Sequence, residues 1–213
     1  MLLFKRPPKP PGFDEMSTLI EAGREIDGGP HVRGRSVQPV TGLLRQGYWW
    51  LAYQWTNWLF ACTICNGTWK MTLFPLACAP KPRSPASGVE DRPLLLHPYG
   101  KAAPSRHLSF DEFGQIEGTT RKGRATVRTL GLDRETLRKK RGKIAGRIYL
   151  LLEQALDRLL AGETPDPSAM REILSQGDAD QDYAGMVRIV FERVMPMTWA
   201  ELEQRYKRPD GGT

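Results

Sequence analysis

The chain has little cysteine and little histidine, three of each in 213 residues. Three thiols are too few, and odd in number, to form a disulfide framework in a chain of this length, so thiol or metal chemistry is what the cysteines leave open. A long apolar run is also missing. The most apolar stretch, Gly47 to Ala61, carries Gln54, Thr56 and Asn57 and falls short of the roughly 20 residues a membrane span requires. The N-terminus, MLLFKRPPKPP, has four residues before its first charge and then a proline run, which leaves no room for the apolar centre of a signal peptide. The expectation is a cytoplasmic chain without a membrane segment.

Hydrophobic residues make up 40% and charged residues 26%, which excludes wholesale disorder and collagen-like or mucin-like classes. The length suits one main domain, with room for a small appendage. Glycine (21) and proline (17) exceed their average usage of about 7% and 5%, so the fold must be rich in loops. The net charge of +7 is unevenly placed. Between Thr119 and Arg147 there are eleven bases against two acids, Asp133 and Glu135, so that segment is +9 and the remainder about −2. A basic block on a near-neutral body is the footprint expected of a polyanion partner, and nucleic acid is the natural one. A solvated helix face is the plainer reading of such a run.

Three regions follow along the chain: a weakly patterned segment 1–46, a core 47–147 that ends in the basic block, and a helical region 148–213. In the first, Asp14 to Arg24 suits a short helix. The second opens with five of the six tryptophans, at 49, 50, 55, 58 and 69, which read as core. Cys78 to Gly88 has the composition of a loop. His107 to Gly118 reads as two short strands around a turn at Glu112 to Gly114. Asp133 suits an N-cap for a helix reaching about Ala161, with Leu137, Ile144, Ile148, Leu151, Ala155 and Leu159 on its apolar face. Gly142 and Gly146 weaken that helix, and the preceding bases fall on a strand or loop. Helices are also expected over Pro167 to Leu174 and Tyr183 to Val194. A last one is opened by the capping box Thr198-x-x-Glu201. The fold class is α+β, with helix dominating the C-terminal half.

The chemistry-bearing run is Trp55 to Lys70, W-x-N-x-L-x-x-C-x-x-C-N-x-x-x-K. Cys62 and Cys65 can turn both sulfurs onto one tetrahedral zinc, but a full site needs four ligands, so this pair is half a site at most. An amide oxygen such as that of Asn66 suits a hard cation, and Lys70, one helical turn on, can meet a phosphate. This run resembles the second half of the HNH endonuclease motif. With GYWWLAYQWTNWLFACTICN, FPLA, ED-RPLLLHPYG, RHLSF and the basic block through Arg141, the resemblance extends from about Tyr48 to Arg141. It points to the HNH subfamily of bacterial phage defence, the nuclease partner of an ATPase in Septu-type and retron-associated systems.

What the resemblance implies is a ββα-metal element, one Mg²⁺ or Mn²⁺, and a metal-dependent DNA endonuclease or nickase acting with an ATPase subunit. It makes His31 the general base, Asn57 the residue that orients it, and Asn66 a metal ligand. Lys70, Arg121, Lys122, Arg124, Arg128, Arg138, Lys140 and Arg141 become DNA contacts, and His97 and His107 line the site. Each has a plainer alternative: a loop histidine at 31, turn or N-cap duty for the asparagines, packing or hairpin-start roles at 97 and 107. The family places an acid just before its histidine and a second Cys-x-x-Cys upstream. Here Pro30 precedes His31, and no cysteine precedes Cys62. Those departures motivate an alternative from another class, a catalytically impaired HNH-like subunit for DNA binding or assembly. Oligomeric state is left open.

Overall fold

The structure, a computed structural model, describes residues 61–71, 73–78, 92–98 and 103–206. The helix expected over Asp14 to Arg24, and most of the loop from Cys78 to Gly88, lie outside them. The chain forms two compact units. The described part of the first is 96–98, 103–128 and 132–206, and that of the second is 61–71, 73–78, 92–95 and 129–131. The expected boundary at 147/148 therefore falls inside a continuous helix, because the hairpin and the C-terminal helices share one core.

The first unit opens with a hairpin, β1 (Leu108–Phe110) and β2 (Ile116–Gly118), paired antiparallel in the register Leu108↔Gly118 and Phe110↔Ile116. Its turn is built by Asp111, whose Oδ1 accepts the Phe113 and Gln115 N–H groups at 3.1 and 2.7 Å. Gly114 takes φ +76° there, a conformation that costs a residue with a side chain. Next comes α1 (Arg121–Leu130), whose residues 129–130 fall in the second unit. This helix replaces the strand or loop expected under the first basic residues. The face it buries, Gly123, Thr126, Val127 and Thr129, holds a single larger apolar residue and so makes no apolar stripe.

The long helix α2 (Glu135–Leu160) buries Ala145, Ile148, Leu151, Leu152 and Ala155 along one stripe, as the spacing predicts. Its N-cap is Arg134 rather than Asp133, and no side-chain cap is made. Gly142 does more than weaken it. A Cβ there would stand 2.6 Å from the Phe113 carbonyl oxygen, and one at Gly114 would stand 2.7 Å from the Arg138 carbonyl oxygen. The hairpin turn thus rests on the α2 backbone, an approach only glycine permits. Tyr149 strengthens the junction by donating its hydroxyl to the Phe110 carbonyl at 2.8 Å.

Three further helices close the core: α3 (Pro167–Gln176), α4 (Ala184–Val194) and α5 (Trp199–Tyr206). Asp166 caps α3 by accepting from the Ser168 N–H, with Pro167 at the first helical position. The expected capping box is formed: Glu201 accepts from the Thr198 N–H at 2.6 Å, and Thr198 Oγ1 accepts from the Glu201 N–H at 3.3 Å. The core joins Leu108 and Phe110 of the hairpin to Leu152, Met170, Ile173, Phe191 and Leu202 of the helices. Mixed helix with one small antiparallel sheet agrees with the α+β class. No described helix is long and apolar enough to cross a membrane.

Candidate functional site

In the second unit the Cys-x-x-Cys run folds into a π-helical turn, Ile64–Lys70. Such wide turns are rare, and many occur at functional sites. The Asn66 N–H donates to the Cys62 carbonyl at 3.0 Å, and the Asn66 carbonyl accepts the Met71 N–H at 2.7 Å. Met71 closes the turn at φ +42°, an unfavourable conformation for a residue with a side chain. The Cys65 N–H donates to Cys62 Sγ at 3.2 Å. Cys62 is exposed and Cys65 half-buried. Burial lowers the pKa of the half-buried Lys70 ammonium from its ordinary value.

The turn is seated by Trp69. A Cβ on Gly131, which has φ +55°, would overlap the Trp69 indole. The segments around Leu76 and Pro93 bridge antiparallel, with the Ala77 N–H on the Arg92 carbonyl and the Leu94 N–H on the Pro75 carbonyl, both at 2.9 Å. Cys65, Asn66 and Lys70 thus lie on this turn, and Cys62 lies just before it. His31 and Asn57 lie outside the described residues. Among the described residues no three His, Cys, Asp or Glu side chains gather to hold a metal ion. Asn66 offers one neutral oxygen, and Cys62 and Cys65 offer two sulfurs.

The first unit presents the basic block. Arg121, Lys122, Arg124 and Arg128 are exposed on α1. Lys140 is exposed and Arg138 half-buried on α2. Arg141 departs from expectation: it is 4% exposed, with Nε donating to the Gly114 carbonyl and Nη2 to the Leu132 carbonyl, each at 2.8 Å. Its guanidinium also lies over the Phe110 ring, 5.7 Å from the centroid. Desolvation lowers its pKa from the usual arginine value. Arg141 is therefore a structural pin and not a surface contact. Nothing in the local sequence distinguishes it from its basic neighbours except its spacing from the buried stripe, with Ala145 four residues on and Ile148 seven.

His107 takes the hairpin-start role. Its Nδ1 shares a hydrogen bond with Thr120 Oγ1 at 2.7 Å, and its carbonyl accepts the Thr119 N–H at 2.9 Å. Thr120 Oγ1 also accepts the Gly123 N–H at 3.1 Å, the geometry of an N-cap for α1. A Cβ on Gly123 would overlap the His107 carbonyl oxygen. His97 is exposed, next to Leu96, whose N–H donates to the fully buried Thr126 Oγ1 at 2.9 Å. The residues that sequence reasoning missed are thus Thr120, Gly123 and Thr126, which fix α1. The signal available for them was the T-T-x-x-G step after the hairpin.

Over 151 residues the chain is 31% identical to the Septu protein PtuB of Bacillus mycoides (strain KBAB4), a match covering 70% of this chain and 51% of that protein. The chain is thus similar to a Septu protein over most of its length. The Septu protein PtuA of the same strain is 25% identical over 178 residues, 83% of this chain and 23% of that protein. The chain therefore spans about half the length of PtuB and under a quarter of PtuA. No family model matches the chain, and no solved structure matches it.

Proposed function

We propose that this chain is a metal-dependent HNH-type DNA endonuclease or nickase of a bacterial phage-defence system, acting with an ATPase subunit. The observation that supports the reading is the π-helical turn Ile64–Lys70, which carries Asn66 and Lys70, in a chain similar to a Septu protein. In this reading His31 takes the proton of the attacking water, and Asn57 holds the loop that orients His31. Lys70 lies one helical turn from Asn66, placed to meet a phosphate. Asn66 would hold a divalent Mg²⁺ or Mn²⁺, whose charge suits a scissile phosphate. Among the described residues no three His, Cys, Asp or Glu side chains gather to complete its ligand set.

The test is nicking and linearisation of supercoiled plasmid by the purified chain in Mg²⁺ or Mn²⁺, with EDTA, His31→Ala and Asn66→Ala as controls. Metal-dependent cutting that both substitutions abolish is the expected result. A second reading is favoured by Pro30 in place of the family's acid and by the lack of a cysteine before Cys62. It makes the chain a catalytically impaired subunit for DNA binding or assembly. Plasmid binding without cutting, alone and with a co-purified ATPase, would decide for it. Elemental analysis for zinc tests whether Cys62 and Cys65 share a full site with ligands from elsewhere.

A further inference from the structure

The structure divides the basic block into cations that are already engaged and cations that are not. Arg141 is buried on two carbonyls. Lys139 pairs with Glu135 at 2.7 Å, and Arg147 with Glu172 at 2.7 Å. On α1 the situation is reversed. Arg121, Arg124 and Arg128 stand at i, i+3 and i+7, one stripe on a helix, and the side the helix buries, Gly123, Thr126 and Val127, lies opposite. The helix contains no acidic residue. No ion pair reaches these three arginines among the described residues, and Arg124 makes only a long bond, 3.4 Å, to the Thr119 carbonyl.

This arrangement has a cost that the fold alone does not offset. Arg121 and Arg124, with Lys122, crowd the first turn of α1, where the helix dipole already disfavours cations. The helix itself is held firmly by the Thr120 cap, the Gly123 contact with His107 and the Leu96 bond to Thr126. A rigid helix with like charges along its outward face is preorganised for an extended polyanion. Seven residues of α-helix advance about 10 Å, the axial length of about three nucleotide steps of one DNA strand at a rise of about 3.4 Å each.

We propose that the Arg121, Arg124 and Arg128 stripe is the surface on which the chain tracks one phosphate backbone of duplex DNA, without reading bases. The assignment rests on DNA being the substrate of the proposed reaction, and it is tested separately from cutting. The experiment is fluorescence anisotropy of a short labelled duplex titrated with the full chain in EDTA, from 50 to 200 mM salt. Each phosphate contact contributes a slope of about −0.9 in log K against log salt. The R121Q/R124Q/R128Q variant should therefore show a slope shallower by about 2.7. Over that salt range the unaltered chain then loses about 40-fold more affinity than the variant does. Each single substitution should remove about one third of that change, which guards against a fold defect peculiar to the triple variant.

A slope unchanged in the triple variant would overturn the proposal, as would an equal or larger change in K140Q/K143Q. Absence of duplex binding by the unaltered chain, or tighter binding to RNA of the same length, would also overturn it. Loss of cutting with the stripe-dependent slope intact would sink the nuclease reading and leave this surface standing.

Discussion

On α1 every cation is exposed and none has an anionic partner among the described residues. On α2 Lys139 and Arg147 are tied to carboxylates, and Arg141 is folded into the interior. The two helices are neighbours in the chain and alike in composition over their basic stretches, yet their charges serve different ends. Burial separates Arg141 from the α1 cations, and carboxylate partners separate Lys139 and Arg147 from them. A guanidinium can enter a core when fixed carbonyls replace its water, as Gly114 and Leu132 do for Arg141. An exposed one keeps its water and remains available to a partner. Local charge density therefore says how much positive charge a segment carries, and the spacing relative to the buried stripe says which charges are free.

Arg141→Met should break the contrast most severely, because it leaves the Gly114 and Leu132 carbonyls without their donor. The expected loss is about 2–6 kcal/mol, read as a fall in the urea midpoint. Arg124→Gln, its counterpart on α1, should stay within about 0.5 kcal/mol of the unaltered chain in the same measurement. Next in size is Gly123→Ala. In an open helix this change stabilises by up to about 1 kcal/mol, whereas here the Cβ meets the His107 carbonyl and the expected sign is reversed, a loss of about 1–3 kcal/mol. A stabilised variant would mean that α1 is not seated as described.

Smaller effects should come from acid. Hydrogen bonds from Arg147, from Ser168 and from the Thr198 backbone lower the pKa values of Glu172, Asp166 and Glu201, respectively, in the folded state. Carboxylates with lowered folded values contribute stability above their unfolded pKa, and that contribution is lost as pH falls through the folded value. The melting temperature should therefore hold from neutrality down to about pH 5 and drop below about pH 4. Glu201→Gln should flatten part of that drop. The smallest change is expected for Arg147→Gln, which removes an exposed pair whose charges are already well solvated. A change as large as that of Arg141→Met would erase the distinction between paired surface cations and the buried one.

Where side chains set the structure locally, the sequence was legible. The hairpin, the buried stripe of α2 and the capping box at Thr198 all follow from short-range spacing. What spacing could not show was structure made by close backbone approach. α1 hides behind glycine and threonine, and Gly142 reads as a defect in a helix until the Phe113 carbonyl is seen beside it. The same holds for Arg141, since a polar residue buried by fixed carbonyls has no hydropathy signature. Of the candidate site, the run from Cys62 to Lys70 was legible as a unit, but its π-helical winding and the seating of Trp69 on Gly131 depend on residues far along the chain.

The turn of the hairpin is gripped through its main chain, at the Phe113 carbonyl and at Gly114, while the Phe113 side chain itself is 66% exposed. Shape and side-chain identity are thereby uncoupled at that point. Position 113 can drift among residue types, or carry a fluorophore, without loosening the loop. Positions 114 and 142 cannot change separately, because each glycine makes room for the other's neighbourhood across 28 residues of chain.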